Sequence, residues 1–206
     1  AAPPDRNLFT IAKQLLPDNK NIPQMLTRGS VEYPVGHSEV FWLVDLSDTK
    51  VYRSDFTLAL VTPNAYWYVE DSVDISMAGL KRAATRFEEN IYPTITRIFG
   101  PAWPPEVDDD HRLNIVNAQL TDVAGYFSST DEYPVAIRPT SNQRKIIYIN
   151  ASIGTIGFYF GSNNTSIIMP PIISTHIHHG IINNCFVIPN HIYWVSDILY
   201  PCIISF

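Results

Sequence analysis

Cysteine is scarce in this chain of 206 residues, which contains only Cys185 and Cys202. Two cysteines are too few for a disulfide-stapled scaffold, and no Cys-x-x-Cys pair suggests a structural zinc site. Basic residues are also sparse, with 14 Lys and Arg against 20 Asp and Glu and a net charge of -6. Because phosphate binding needs clustered basic side chains, we expect no nucleic-acid partner and no electrostatic docking on an anionic membrane.

Charged residues are almost missing from the last quarter of the chain. Every Lys and Arg, and every Asp and Glu except Asp197, lies within residues 1–150, and the last Glu is Glu132. At ordinary usage, about 25% of residues in such a segment would be charged. Residues 152–206 are therefore predicted to be an atypical uncharged tail that is not the native continuation, as a shifted reading frame or a misjoined end would produce.

The uncharged tail has two alternative interpretations, and both stay open. It is a genuine tail, or it is a membrane segment, since residues 186–206 are apolar and long enough to span a bilayer. Pro189, Asn190 and Pro201 interrupt the apolar run, and no basic flank fixes an orientation. We therefore do not expect a membrane partner.

The remaining chain divides into two predicted units. Residues 1–36, rich in Pro, Asn and Asp, are predicted to be an arm or linker with one short helix that contains Ile11 and Leu15. Residues 37–151 are predicted to begin a folded domain, because short β-branched and aromatic runs alternate with turn signals. Strands are predicted at 40–44, 51–61, 65–69, 113–116 and 145–150.

The clearest helix pattern covers residues 76–92. Its apolar positions recur at helical spacing and form one stripe: Met77, Leu80, Ala84, Phe87 and Ile91. Pro93 interrupts the pattern, and a second short helix at 94–99 ends at Gly100. The predicted fold class is α+β, with short strands packed on this one long amphipathic helix.

Five segments, in chain order, carry a family resemblance. They are Phe41-Trp42-Leu43-Val44-Asp45-Leu46, Ala65-Tyr66-Trp67-Tyr68-Val69-Glu70-Asp71, Phe87-Glu88-Glu89-Asn90-Ile91-Tyr92-Pro93-Thr94 with Phe99-Gly100, Val123-Ala124-Gly125-Tyr126-Phe127-Ser128-Ser129 with Asp131-Glu132-Tyr133-Pro134, and Ile147-Tyr148-Ile149-Asn150-Ala151. Each is weak alone, but five in sequence are difficult to obtain by chance. Together they span about residues 37–151, and this part of the chain resembles the immune-inhibitor-A-like secreted bacterial zinc metallopeptidases.

The resemblance implies the lead-in of a zincin-type peptidase domain that acts outside the cell on a protein or peptide substrate. In this family, a strand like residues 147–150 comes shortly before a helix with the motif His-Glu-x-x-His. Two His one turn apart ligate zinc, and the Glu acts as general base on the zinc-bound water. The implied activity is therefore that of a protease, a hydrolase of peptide bonds.

The sequence departs from this pattern where the chemistry is needed. No His is followed by Glu, and the window that should contain the motif reads Thr175-His176-Ile177-His178-His179-Gly180. No catalytic residue, cofactor-binding residue or metal ligand is therefore carried over, and the chain is predicted to be inactive and to bind no zinc. The matched residues belong to the scaffold and to the rim of the substrate cleft at residues 125–129.

Two further metal-site patterns are weak. His176, His178 and His179 form a metal-like cluster, and on a strand His176 and His178 would point to one face and could share a zinc. No Cys, Asp or Glu lies close in sequence, although Cys185 or His191 could approach in the folded chain, so a chance His-rich tract is favoured. The acidic run at residues 106–110 could ligate calcium, but its spacing does not match an EF-hand, and a solvated loop is favoured.

The sequence thus predicts the non-catalytic, truncated N-terminal portion of a secreted bacterial zinc metalloendopeptidase. The alternative is a secreted β-rich binding or interaction module that uses exposed aromatic side chains instead of a metal. Trp42, Trp67 and Tyr68 could line a sugar-binding face, although aromatics on short strands are more often core residues.

Overall fold

The computed structural model describes residues 8–15, 22, 32–100, 110–152, 184–188, 191–195 and 202–204. Its α-helices are α1 (Leu8–Leu15), α2 (Met77–Arg86) and α3 (Tyr92–Phe99), with a π-helical turn at Phe87–Ile91 and a 3-10 turn at Ser129–Glu132. Its strands are β1 (Ser38–Asp45), β2 (Lys50–Val61), β3 (Ala65–Glu70), β4 (Leu113–Ala118), β5 (Gly125–Phe127), β6 (Ile146–Asn150), β7 (Asn184–Ile188), β8 (His191–Val195) and β9 (Cys202–Ile204).

One mixed sheet dominates the described structure. Its strand order is β1-β2-β3-β4-β6-β5-β9, and β7 and β8 form a separate antiparallel pair. Strands β1, β2 and β3 form an antiparallel meander, whereas β3, β4 and β6 run parallel. Parallel neighbours need a crossover connection. Between β3 and β4 this connection contains α2, the π-helical turn and α3, which together are called the helical segment. Strand β5 lies between β4 and β6 in the chain but beyond β6 in the sheet, antiparallel to it.

The five predicted strands correspond to β1, β2, β3, β4 and β6. In β1, Phe41 and Leu43 are buried while Val40 is exposed, as expected for side chains that alternate across a sheet. Strand β4 is buried along its whole length, which fits a strand with parallel neighbours and both faces covered. The sequence pattern therefore locates these five strands correctly but misses β5.

The predicted helix at 76–92 is only partly correct. Its start is as expected: Ser76 is the N-cap and its Oγ accepts a hydrogen bond from the Gly79 N–H. Met77, the first position of the predicted stripe, is exposed. The next three positions are buried: Leu80, Ala84 and Phe87.

The helix then changes its winding before Pro93. The N–H of Tyr92 bonds to the carbonyl of Phe87, five residues earlier, which defines a π-helical turn. Pro93 has no N–H and would clash with the preceding turn of a regular helix, but it fits the first turn of α3. α3 ends at Gly100, whose φ of 87° is the conformation that glycine tolerates at a helix end.

The predicted fold class is wrong. The main element is not a long helix with short strands packed on it but a mixed sheet that curls into a half-barrel, and strand residues outnumber helical residues. The helical segment is interrupted by a π-helical turn, and it covers one face of the sheet. The physical reason is that contacts between the sheet's two ends close the curl, and local periodicity carries no information about such contacts.

Each face of the sheet has its own core. The inner face buries a largely aromatic cluster: Phe41, Leu43, Phe56, Leu58, Tyr66, Tyr68, Val116, Ala118, Leu120, Tyr126, Ile146 and Tyr148. The outer face packs against the helical segment through Ala65, Trp67, Leu80, Ala83, Ala84, Phe87, Leu113, Ile115 and Ile147. Burial at this scale, at about 25 cal/mol per Å² of apolar surface, is the main force that holds the sheet to its helix.

Some predicted features fall outside the described residues. These are His176, His178 and His179, the acidic residues 106–109, and most of the arm and the tail. No helix in the described part of the chain has the length and hydropathy needed to cross a membrane. The proposed boundaries at 36 and 151 stay predictions.

Candidate functional site

The residues predicted to form a cleft rim, 125–129, begin with the short strand β5. It pairs antiparallel with β6 on one side and with β9 on the other. Gly125 approaches β6 so closely that a Cβ atom there would lie 2.5 Å from the carbonyl oxygen of Tyr148. Because no side chain fits at this distance, the glycine is needed for β5 to pair with β6.

Tyr126 connects β5 to β1, the strand at the opposite edge of the sheet. Its ring stacks on Tyr148 with centroids 4.3 Å apart and an angle of 14° between planes. Its hydroxyl accepts a 3.0 Å hydrogen bond from the backbone N–H of Val44 in β1. Strands β2, β3, β4 and β6 separate β1 from β5 in the sheet, so this bond exists only because the sheet curls.

Asp131, in the 3-10 turn that follows β5, is a buried carboxylate with 4% of its surface exposed. One oxygen accepts hydrogen bonds from the N–H and the side-chain amide of Asn142 at 2.9 and 3.0 Å. The other accepts from the Tyr148 hydroxyl at 2.7 Å. Burial raises the pKa of Asp131 to about 6, although the hydrogen bonds from Asn142 and Tyr148 act in the opposite direction.

Asn142 carries this network to the edge of β1. Its Oδ1 accepts from the Trp42 N–H at 2.8 Å, and its Nδ2 donates to the Trp42 carbonyl at 2.9 Å. The side-chain amide thus occupies both outward-facing backbone groups of Trp42, as a neighbouring strand would. Its Nδ2 also lies 2.7 Å from the Tyr148 hydroxyl.

A buried ion pair makes a further connection between the two ends of the sheet. Arg144, just before β6, is 3% exposed and donates two hydrogen bonds to Glu39 of β1, at 3.0 and 2.7 Å. Burial lowers the pKa of Arg144, but attraction to Glu39 and their hydrogen bonds outweigh it, so the net shift is upward. Such a bidentate pair fixes geometry as well as charge.

These contacts define what we call the seam, the line along which the half-barrel closes. It contains Glu39, Trp42 and Val44 of β1, facing Tyr126, Asp131, Asn142, Arg144 and Tyr148. Each of these contacts across the seam involves at least one side chain. The seam and the β5 edge together form the candidate site.

The carboxyl ends of the parallel strands, where open α/β sheets commonly bind ligands, are already occupied. Buried Glu70, at the end of β3, accepts hydrogen bonds from the Ser54 hydroxyl at 2.5 Å and from the Gln119 N–H at 2.7 Å. Asn150, at the end of β6, donates to the carbonyls of Leu120 and Val123 at 2.8 and 2.7 Å. Both polar side chains therefore fix loops of the chain itself.

The zinc that the family resemblance implies has no ligand set within the described ranges. No three His, Cys, Asp or Glu side chains there lie close enough together to bind a metal ion. The predicted His tract and the residues 106–109 of the acidic run lie beyond those ranges. The donor set of the described residues therefore does not fit a zinc centre, and we assign them no step of hydrolysis.

The seam residues do not stand out as a group in the sequence. Asp131 and Tyr148 lie within the family-like segments, but Asn142 and Arg144 fall between the strands predicted at 113–116 and 145–150. Polar and charged residues are usual in such a connection, so nothing in the sequence marks these two as buried contacts.

Comparison with known proteins adds no assignment: no protein-family model matches the chain, and no curated protein matches it either.

Proposed function

We propose that residues 37–151 are the non-catalytic N-terminal portion of a secreted bacterial zinc metalloendopeptidase of the immune-inhibitor-A-like kind. In this proposal, β5 forms one wall of the cleft that binds an extended peptide substrate. The chain supplies scaffold and cleft wall, and peptide hydrolysis needs a zinc motif that this sequence lacks.

One observation carries the proposal. The outer edge of β5 pairs antiparallel with the extended segment β9, with Tyr126 opposite Ile203 and Phe127 opposite Cys202. An edge strand that accepts an extended segment in this way can bind a peptide main chain by β-augmentation. The Gly125 contact and the Tyr126 stack hold this edge in place from the other side.

The end of β6 gives secondary support. β6 runs directly into a helical turn at residues 151 and 152, and the Ser152 N–H donates a 3.1 Å hydrogen bond to Asn150 Oδ1. In the family that this segment resembles, the helix with the zinc motif follows such a strand. The point where the resemblance stops is also the point where the charged residues disappear.

The first test is to translate the source DNA beyond codon 150 in its two other reading frames. We expect His-Glu-x-x-His in one of them. If neither frame contains the motif, this result counts heavily against the idea that the residues after 150 result from a shifted reading frame.

The second test uses the full chain as purified, loaded with zinc and incubated with casein. We expect no cleavage, since no His-Glu pair is present to bind the metal and activate its water. Cleavage that a chelator abolishes would overturn the proposal that this chain is non-catalytic.

The third test addresses the cleft wall. Tyr126 directs its backbone groups toward β6, so the β9 residues that bond to β5 are those opposite Gly125 and Phe127. Ile204→Pro removes the backbone N–H opposite Gly125 and should weaken the pairing of β9 with β5. We expect a fluorescent peptide of residues 200–206 to bind this variant more tightly than the unchanged chain. Ile204→Ala keeps the N–H and is the matched control, and equal binding by all three proteins would contradict a peptide-binding edge.

A binding module remains the second candidate, favoured by the sheet-dominated architecture and by one aromatic side chain. Trp67 and Tyr68 are buried core residues, but Trp42 is only half-buried and lies under the Arg53 guanidinium at 5.2 Å. Glycan binding by the full chain that is lost in Trp42→Ala would favour this candidate. Its absence, with peptide binding at β5, would favour the first.

A further inference from the structure

The seam differs from the rest of the sheet in how it is held together. Neighbouring strands elsewhere in the sheet are joined by backbone ladders, whereas the seam contacts at the β1 edge run through Tyr126, Asn142 and Arg144 side chains. Side-chain contacts of this kind can separate locally without breaking a ladder. Local opening of the half-barrel should therefore begin at the seam.

Asp131 is central to these contacts although it does not touch β1 itself. It accepts one hydrogen bond from the backbone N–H of Asn142, one from the Asn142 side-chain amide and one from the Tyr148 hydroxyl. Both partners in turn contact the Trp42 carbonyl, at 2.9 and 3.1 Å. A change in the charge of Asp131 therefore acts on the bonds that hold β1.

We propose that Asp131, Asn142, Tyr148 and Trp42 form a pH-sensitive latch that is closed more firmly at mildly acidic pH and opens more readily at neutral pH. This proposal concerns the fold alone and does not depend on the function proposed above. Its basis is a buried carboxylate at the centre of contacts that run through side chains and contain no backbone ladder.

The direction follows from the solvation of the carboxylate. In the closed latch, the pKa of Asp131 is about 6, whereas its ordinary value is 3.8. Because the pKa is raised in the closed state, protonation favours closure, and this stabilisation is lost as pH rises through the window between the two values. A difference of about two pKa units corresponds to an opening constant about 100-fold larger above pH 6 than well below 3.8.

Other ionisable groups near the latch must be distinguished from Asp131. Arg144 lies on the loop before β6, Glu132 is the next residue in the 3-10 turn, and the phenol groups of Tyr126 and Tyr148 face the same interior. Glu39 of β1 pairs with Arg144 and also lies 3.4 Å from His37 Nε2. Because this histidine forms an ion pair with Glu39 only when it is protonated, His37 needs its own control.

The experiment is amide hydrogen exchange on the full chain at about pH 5 and about pH 7.5, corrected for the intrinsic exchange rate. Asn142 protects the Trp42 N–H, and we expect the protection factor of this amide to be about ten times higher at the lower pH. The change is smaller than the full factor of about 100 because the lower pH already lies inside the window between the two pKa values. The Ile115 N–H, in the fully buried strand β4, reports global unfolding and should change much less. An equal change at both amides would mean that the whole fold responds to pH, and would overturn the latch.

Two variants assign the effect to its residue. Asp131→Asn keeps the shape and the oxygen that accepts from Asn142, but it cannot ionise, so the pH dependence at Trp42 should disappear. Its amide nitrogen cannot accept from the Tyr148 hydroxyl as Oδ2 does, so the comparison uses the pH dependence and not the absolute level of protection. His37→Asn should retain it, and a pH dependence that survives in Asp131→Asn would contradict the proposal. If Asp131→Asn does not fold, NMR titration of the Asp131 carboxyl carbon in the unchanged protein decides, since a midpoint at the ordinary value overturns the latch.

Discussion

The two edges of the sheet are completed in different ways. At the β5 edge, a short extended segment, β9, adds a backbone ladder beyond β5. At the β1 edge, the Asn142 amide and the Tyr126 hydroxyl bond to the backbone of Trp42 and Val44. A ladder depends on backbone position and tolerates many side chains, whereas a side-chain edge depends on the identity of a few residues. We therefore expect the β9 side of β5 to tolerate side-chain substitutions and the contacts at the β1 edge to be sensitive to them.

The largest effect is expected at the inner side of the β5 edge. Gly125→Ala places a Cβ atom 2.5 Å from the Tyr148 carbonyl oxygen, so β5 must move away from β6. We expect a loss of about 3 kcal/mol in the free energy of unfolding, measured by urea denaturation. Gly79→Ala in α2 is the control, because the nearest atom to its new Cβ would be at an ordinary 3.5 Å and alanine favours a helix by up to about 1 kcal/mol. Equal effects at both sites would contradict the close approach.

The next effect is expected at the β1 edge. Asn142→Ala removes both hydrogen bonds to Trp42 and leaves the buried Asp131 carboxylate with fewer donors. Each buried polar group left unpaired costs about 1–3 kcal/mol, so we expect a loss of about 2 kcal/mol in stability. Asn90→Ala, at an exposed position of the π-helical turn, should change the urea midpoint little. A similar change in both variants would show that Asn142 does not close the edge.

A smaller effect is expected at Tyr126. Tyr126→Phe keeps the ring and its stack on Tyr148 but removes the acceptor for the Val44 N–H. We expect a loss of about 1 kcal/mol, the net value of one hydrogen bond, and faster exchange of the Val44 amide. Tyr52→Phe, a half-buried tyrosine on β2, provides a comparison. Unchanged exchange at Val44 in Tyr126→Phe would rule out the contact.

The smallest effect on stability is expected at the outer side of β5. Ile204→Pro should disturb the pairing of β9 with β5 while the free energy of unfolding of the domain changes by less than about 0.5 kcal/mol. Faster amide exchange in β5 without a shift of the urea midpoint is the expected result. A large loss of stability would instead mean that β9 is an integral strand of the fold.

The strands can be predicted because their signal is local. Runs such as Val40-Phe41-Trp42-Leu43-Val44 combine β-branched and aromatic residues between turns, and β1 follows that run closely. β5 falls in a predicted loop, since three residues, Gly125 to Phe127, are too few to show a period. The helix that contains Gly79 is also predicted, but its π-helical turn is not, because the apolar spacing from Phe87 to Ile91 is compatible with regular α-helix.

The fold class and the seam cannot be predicted for a common reason. Trp42 and Asn142 are 100 residues apart in sequence, and Glu39 and Arg144 are 105 apart. Pairings at such separations depend on how the sheet curls, which hydrophobic periodicity does not encode. A polar residue in a loop, such as Asn142, gives no sign that it will take the place of a strand.

The Asn142 side chain also bears on how copies of this protein meet one another. A bare edge strand is a template on which a second chain can add its own strand and begin aggregation. Because Asn142 occupies the N–H and the carbonyl of Trp42, that position offers an incoming chain nothing to bind. A variant without this amide should therefore self-associate in concentrated solution while the protein is still folded.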